Sequence, residues 1–350
     1  MSKRQLSHPP FLSICITSYN RVGELYRCLK SVDTVYTDLI EIVVSEDCSP
    51  KKNEISEIVN QFILETDYSV IYNTNEANLG FDRNFAKLLK LASGEYLLFI
   101  TDDDIFCVGA LDKIIDTLRK MDCAVAFSPF IYDTGPFDRN TGIMDRKFGK
   151  TMLIPRGIKS VKKYLYCSIL LSGLIFKKNK IVEYQEDKFT NLIYSQVYVF
   201  ASLLYGNNGC YIDVPLIQFK GDGENGFGLS ASSERNTLLA DRRSIYSGLE
   251  YHKGLIKIIE IFDNENGTDL MNSFAREYSL KAYTGMSDAC KVGKHELIIY
   301  WNKMKSLNIK LSIIARIYYW ALKILGYKVC DSIFQFPRKI LLGYRKRRVT

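Results

Sequence analysis

Through its first hundred residues the chain alternates short apolar runs with longer stretches of helical spacing, and that rhythm leaves few folds open. FLSICIT (11–17) is a brief run rich in β-forming residues, and YNRVGELYRCLKSV (19–32) then sets Val22, Leu25, Leu29 and Val32 near the spacing of one helix face. IEIVVSED (40–47) reads as a second buried strand, EISEIVNQFILE (54–65) as a helix and YSVIYNTN (68–75) as a third strand. NLGFDRNFAKLLKLAS (78–93) reads as a loop running into a helix, and EYLLFITDDD (95–104) as the fourth strand. Strict alternation predicts βαβ units with right-handed crossovers: an α/β fold whose mostly parallel sheet is flanked by helices on both faces.

In such sheets ligands bind beyond the carboxyl ends of the strands. Three of these ends carry polar clusters: TSYNR (17–21), SEDCS (45–49) and TDDD (101–104). Adjacent carboxylates about 4 Å apart repel by roughly 1 kcal/mol in water and about 4 kcal/mol at a protein surface, so Asp102, Asp103 and Asp104 call for a positive partner. The competing explanation is a solvated acidic turn that caps the helix expected in GALDKIIDTLRKM (109–121). A cap needs one acid, whereas three polar strand ends converging on one crevice suit a ligand.

Past residue 120 the rhythm loosens. CAVAFSPFIYD (123–133) reads as one more strand, TGPFDRNTGIMDRKFGK (134–150) as a polar loop and LLSGLIFKKNKI (170–181) as a strand with a turn. NLIYSQVYVFASLLYG (191–206) places Ile193, Val197, Phe200, Ala201 and Leu204 along one side of a helix, and the glycine-rich GDGENGFG (221–228) predicts a mobile loop. Nine cysteines, odd in number and never spaced C-x-x-C, argue for reduced thiols in a cytoplasmic setting and against a disulfide framework. The apolar stretch of a signal peptide is missing from MSKRQLSHPPFLSICI, which SHPP interrupts.

Read together, the motifs resemble the family 2 nucleotide-sugar glycosyltransferases of the GT-A fold, bacterial enzymes of O-antigen and capsule assembly in particular. SICITSYNR is similar to the family's first-strand segment, with Thr17 where proline-threonine is usual. EIVVSEDCSP is similar to its VVDDGS segment, and NLGFDRNFAKLLKLASGEYLLFITDDD resembles the N-x-G-x-x-x-x-N run that leads through A-x-G-E-Y to the D-x-D motif. The resemblance covers about residues 10–220.

What the resemblance implies is a hexosyltransferase-type enzyme that moves a sugar from a nucleotide-diphospho-sugar donor to a glycan acceptor, inverting the anomeric carbon. A divalent ion, Mn2+ or Mg2+, would neutralise the departing diphosphate, and carboxylates suit either ion. The motif match gives the metal to Asp103 or Asp104, the ribose to Asp102 and the base to Asp47 and Glu46. Thr17 belongs to the donor site by the same match, and Tyr19 either lines the base pocket or packs at the sheet edge. Arg21, Arg83 and Asn84 suit phosphate or ribose contacts, with solvated helix positions as the alternative. The general base lies, in the family, in an acidic pair at the start of a later helix; here Glu186 and Asp187 are the candidates and Asp222 and Glu224 the rivals.

Net charge is +8, yet residues 301–350 hold twelve Lys or Arg against one acid, leaving 35 basic and 38 acidic residues in 1–300, a net of −3. That distribution gives the body no nucleic-acid surface. LNIKLSIIARIYYWALKILGY (307–327) is interrupted by Lys310, Arg316 and Lys323 and makes a poor membrane span, whereas Tyr318, Tyr319, Trp320 and the closing YRKRRVT suit a helix on an anionic membrane surface. A lipid-linked oligosaccharide acceptor would give that placement a purpose, on the inner face of the cell membrane; the alternative is a helical pair packed on the catalytic domain. The expected division is a catalytic domain at 1–230, with a nucleotide-sugar half at about 10–120 and an acceptor half at about 121–230, and a helical basic extension at 231–350. Three other readings share parts of this pattern: a sugar-nucleotide nucleotidyltransferase, a phospho-receiver domain and a non-catalytic nucleotide- and metal-binding protein. The first lacks its usual glycine-rich basic loop, and the second leaves the long second half unexplained.

Overall fold

A computed structural model of the chain describes residues 8–133, 143–145, 148–181, 186–189, 192–220 and 245–334. Most of the polar loop at 134–150, the glycine-rich loop with Asp222 and Glu224, and the closing YRKRRVT lie outside the described residues. The chain forms two compact units, Met1–Thr237 and Leu238–Thr350.

The first unit opens with β1 (Leu12–Ser18), α1 (Val22–Lys30), β2 (Ile40–Glu46), α2 (Lys52–Glu65), β3 (Ser69–Thr74), α3 (Phe81–Leu91) and β4 (Tyr96–Thr101). It continues with β5 (Ile105–Phe106), α4 (Ala110–Lys120), β6 (Val125–Phe127), β7 (Phe130–Asp133), β8 (Ile143–Asp145), β9 (Met152–Ile154), α5 (Ile158–Tyr164), β10 (Leu174–Lys177), α6 (Ser195–Gly206), β11 (Gly209–Tyr211) and β12 (Ile217–Lys220). The main sheet runs β3-β2-β1-β4-β10-β6-β11-β9, and the first four strands are parallel throughout. Every residue of β2 is buried, as a parallel strand covered on both faces requires. On one face of the sheet the apolar sides of α1 (Leu25, Leu29), α2 (Ile55, Val59, Phe62) and α4 (Leu111, Ile114, Ile115, Leu118) close over it in a single core, and on the other α3 brings Phe85 against Phe99 of β4, ring centroids 4.8 Å apart.

Beyond β4 the sheet changes character, because β10 pairs antiparallel with both β4 and β6. The expected single strand at 123–133 is two strands in two sheets, β6 in the main sheet and β7 in a small sheet ordered β5-β12-β7-β8. Pro129 falls between them, and a residue without an N–H cannot carry a ladder across that point.

A buried polar cluster fixes the amino end of the main sheet. The Glu41 carboxylate accepts from Ser13 Oγ (2.6 Å), Ser93 N (2.6 Å) and Ser93 Oγ (2.9 Å), while Ser13 Oγ accepts from Gly94 N (2.8 Å). Gly94 presses so close that a Cβ there would stand 2.6 Å from Ser13 Oγ and 2.7 Å from Ser13 N. The glycine of GEY is therefore a packing requirement.

The second unit is helical: α7 (Ser247–Asn266), α8 (Leu270–Lys281), α9 (Tyr283–Val292), α10 (Lys294–Lys305) and α11 (Ile313–Phe334). Gly267, at φ 60°, ends α7, and the Asp263 carboxylate starts α8 by accepting from Leu270 N and Met271 N, both at 2.8 Å. Gly326, at φ 76°, kinks α11. The aromatic trio of α11 divides: Tyr319 is buried and stacks on Trp301 (ring centroids 4.7 Å apart), whereas Trp320 faces outward. Among the described residues no helix is long and apolar enough to cross a membrane.

Gly94→Ala should cost about 1–3 kcal/mol, because the clash is with backbone that cannot move aside. Urea denaturation followed by circular dichroism measures it; an unchanged midpoint would show that β1 yields at Ser13.

Candidate active site

Pairing sets the geometry of the site. Thr17 of β1 lies level with Ser45 of β2 and Thr101 of β4, and Ser18 lies level with Glu46. The segments that follow, 19–21, 47–49 and 102–104, therefore leave the sheet along one edge. Two of them turn sharply, with Asn20 and Cys48 in the left-handed region at φ 60° and 50°. Asn tolerates that region; a cysteine rarely adopts it, and such backbone gathers at functional sites.

The positive partner that the aspartates call for is Arg21. Its Nη1 donates to Asp102 Oδ1 at 2.8 Å and lies 3.0 Å from Asp103 Oδ2, one nitrogen bridging two carboxylates. Tyr19 N donates to Asp102 Oδ2 at 2.9 Å. Burial pushes the Asp102 carboxyl up to about 6 against the pull of Arg21. Burial works against the Arg21 charge too, but Asp102 and Asp103 outweigh it and hold the guanidinium ionised.

The three aspartates have different surroundings. Asp104 N donates to Thr101 O at 3.2 Å, closing a tight turn around Asp102 and Asp103. Asp104 is wholly buried, and its Oδ2 accepts from Thr101 Oγ1 (2.9 Å) and from Ser172 Oγ, just ahead of β10. Asp102 is buried as well, and only Asp103 keeps an accessible carboxylate, 21% exposed. The metal expectation had named Asp103 or Asp104; here Asp103 faces out and Asp104 turns inward to tie β4 to the segment before β10. The capping explanation fails, since α4 has Gly109 at its N-cap, with no side-chain cap, and two of the three acids are buried.

Two other expected ligand contacts are taken up by the fold. The Asp47 carboxylate accepts from Asn75 Nδ2 (2.9 Å), Leu79 N (2.8 Å) and Gly80 N (2.9 Å). It thereby holds the loop that enters α3; burial raises its pKa while these donors pull it down. Asn84 donates to Ser45 O (3.0 Å) and accepts from Ser45 Oγ (2.7 Å) and Asn75 Nδ2 (3.0 Å). Arg83 stands exposed on the helix surface, and Thr17 and Tyr19 are half-buried at the strand end.

Unmet hydrogen-bonding capacity is what remains at this edge. Glu46 Oε1 accepts from Ser49 N (2.8 Å), but Glu46 Oε2, Ser18 Oγ, Asn20 Oδ1 and Ser49 Oγ are buried without a partner. Buried polar atoms are ordinarily satisfied, so four orphans at the ends of β1 and β2 mark a place where something polar completes the network. Ser18, Asn20 and Ser49 were not singled out from the sequence, although they stand inside the quoted TSYNR and between SEDC and Pro50.

In the later part of the same unit, Glu186 and Asp187 belong to a 3-10 turn, Glu186–Phe189, anchored where the buried Phe189 ring packs with its centroid 4.5 Å from that of Tyr198 of α6. Their side chains lie outside the described residues. The first turn of α6 contains no acid. A carboxylate reaches the start of α6 from elsewhere: Asp82 of α3 accepts from Leu192 N (2.7 Å), Ile193 N (2.8 Å) and Ser195 N (3.2 Å). It caps α6 across 110 residues of chain, fixing the segment with Ile193 at φ 62°.

Residues 13–171 match the family model described as Glycosyl transferase family 2. The abequosyltransferase RfbV of Salmonella typhimurium is 25% identical over 232 residues, 61% of this chain and 68% of its own length. The GalNAc(5)-diNAcBac-PP-undecaprenol beta-1,3-glucosyltransferase of Campylobacter jejuni is 22% identical over 307 residues, 87% of this chain and 90% of its own length. The match to an uncharacterized Mycobacterium tuberculosis protein, 31% identical, covers 34% of this chain and about a third (36%) of that relative. Among solved structures, S. aureus TarS 1-349 in complex with UDP-GlcNAc superposes with a TM-score of 0.52 at 17% identity, covering 93% of this chain and 92% of that one, a likeness of fold.

Arg21→Ala should leave Asp102 and Asp103 facing each other unpaired and lower stability by roughly 2–4 kcal/mol. Adding Asp103→Asn should restore part of the loss, with a coupling of about 0.5–3 kcal/mol in a double-mutant cycle; strictly additive effects would refute the bridge.

Burial pushes the Asp82 carboxyl up from 3.8 to about 6, against the three N–H groups. A folded-state pKa above the unfolded one stabilises below the unfolded value and loses that contribution as pH rises through 6. Wild type should therefore lose ground to Asp82→Asn between pH 4 and 7.5, by about 1–3 kcal/mol in urea titrations; a gap that widens the other way would place the folded pKa below 3.8.

Proposed function

With residues 13–171 a glycosyl transferase family 2 domain, we propose that this chain transfers a sugar from a nucleotide-diphospho-sugar to a glycan hydroxyl. The observation that carries the reading is the set of unpartnered buried atoms, Glu46 Oε2, Ser18 Oγ, Asn20 Oδ1 and Ser49 Oγ, beside an accessible Asp103. A nucleoside offers the donors and acceptors those atoms lack. Asp102 fixes the Tyr19 backbone and Arg21, and with them the floor of the donor crevice.

Asp103 is the residue that would hold a divalent ion. An exposed hard carboxylate fits Mn2+ or Mg2+, either of which takes one or two carboxylates along with phosphate oxygens and water and supplies charge neutralisation for the departing diphosphate. Asp104 orients the turn from behind through Thr101 and Ser172. In an inverting transfer a carboxylate takes the acceptor proton as the hydroxyl oxygen bonds to the anomeric carbon and the nucleoside diphosphate leaves; Asp187 and Glu186, on a turn anchored to α6, are the proposed bases. The Campylobacter relative is named for an undecaprenyl-diphosphate-linked acceptor. That name, with a basic second unit, supports a lipid-linked acceptor in surface polysaccharide synthesis, met on the cytoplasmic side of an anionic membrane.

The test is thermal unfolding with UDP, CDP, GDP and dTDP, each with and without Mn2+, on wild type and Asp103→Asn. One base should raise the melting temperature by several degrees at saturating nucleotide, with the metal-dependent part lost in Asp103→Asn. If no nucleoside diphosphate shifts the transition, the donor site is wrong. If one shifts it without turnover of any sugar conjugate, the chain is a binding protein on this scaffold.

A further inference from the structure

The second unit carries a surface that sugar transfer leaves unused. Ile313, Ile317, Trp320 and Ile324 of α11 are 66%, 51%, 54% and 71% exposed. Spacings of four, three and four residues put them in one narrow stripe of a 3.6-residue helix, about 16 Å long at 1.5 Å per residue. The opposite face of the helix packs inward through Ala315, Tyr319 and Leu322. A helix on a protein surface ordinarily shows water a polar face, so a stripe of this kind marks an interaction surface.

Charge identifies the partner. From Leu297 to Cys330 there is no Asp or Glu, against six Lys or Arg. Arg316 and Lys323, seven residues apart, follow one flank of the stripe, and Lys323 Nζ sits 4.9 Å from the Trp320 ring centroid. At the head of the stripe, Ile313 also lines a cavity of about 380 Å3 shared with Arg276 of α8, Lys310, Arg316, Asn272 and Ser312. Ser312 immediately precedes α11; its N donates to Ser279 Oγ at 2.9 Å, but its own Oγ is buried without a partner.

Three cations and an orphaned hydroxyl at the start of a long helix suit the oxygens of a phosphate. The stripe that begins at the rim of the cavity suits hydrocarbon. A phospholipid surface offers both side by side. We infer that α11 lies in the surface of an anionic phospholipid membrane, with a lipid phosphate in the Arg276–Lys310–Arg316 cavity and the stripe from Ile313 to Ile324 among the acyl chains. This rests on the membrane-facing reading above and narrows it to the stripe of α11 and the cavity at its head.

The full chain is sedimented with vesicles of phosphatidylcholine alone and of phosphatidylcholine with phosphatidylglycerol. Two variants accompany it: Arg276→Gln with Lys310→Gln and Arg316→Gln, and Ile317→Ser with Ile324→Ser. All five positions are exposed, and unchanged melting temperatures confirm that the variants fold. Wild type should bind the anionic vesicles only, and the charge variant should bind them more weakly by on the order of 100-fold, three cations' worth. The stripe variant should also lose binding. In Trp301→Phe, which leaves Trp320 the sole tryptophan, emission should shift to the blue on anionic vesicles.

Equal binding by wild type and both variants would overturn the site while leaving membrane association itself standing. Binding lost in the charge variant alone, with Trp320 emission unchanged, would overturn insertion of the stripe. No vesicle binding at all would end both readings, and self-association abolished by the stripe variant would then give the stripe to a second copy. None of these outcomes touches nucleotide binding, which the thermal titration tests by itself.

Discussion

The site depends on β1 running parallel to, and in level register with, both β2 and β4. Parallel strands joined by crossover helices send all their carboxyl ends to one edge, so three chain segments must turn away from the sheet within reach of one another. A slip of one residue in either ladder would exchange the faces of every side chain in that strand and carry Arg21 away from Asp102. Level ends also bring acids together, and the Arg21 bridge is what makes the crowding tolerable.

Accounting for hydrogen bonds separates the residues that build the edge from those left to meet a ligand. Asp47, Asn84 and Asp104 look from the sequence like ligand residues, yet each is consumed by the protein: Asp47 by the loop before α3, Asn84 by Ser45 and Asn75, Asp104 by Thr101 and Ser172. Their acidity and amide character serve to hold irregular backbone where no ladder can. What they leave open is one exposed carboxylate at Asp103 and the unsatisfied atoms of Ser18, Asn20, Glu46 and Ser49.

The alternating half of the fold was legible because periodicity is a local signal: β1 to β4 and the helices between them each announce themselves within a dozen residues. The break at Ser128–Pro129 was visible as a proline but not as a change of sheet, since which sheet a strand joins is decided by distant partners. Asp82 illustrates the limit: its partners lie 110 to 113 residues away, and nothing around FDRNF distinguishes an inward carboxylate from an outward one. Likewise TDDD located the edge, but the turn closed by Asp104 N and Thr101 O decides which of three identical side chains faces solvent.

Charge balance at that edge bears on how a donor enters. Among the described residues Asp102, Asp103 and Asp104 lie beside the guanidinium of Arg21, which is already shared between two of them. An incoming diphosphate adds negative charge and can recruit Arg21 only by uncovering buried Asp102, whose partner it would remove. Burial already raises the Asp102 pKa to about 6 with Arg21 in place, so losing that partner would make the ionised form costlier still. On the proposed reading, a diphosphate would settle against this edge most readily when it brings a cation of its own, and Asp103, accessible and only partly engaged by Arg21, would be the carboxylate to receive it.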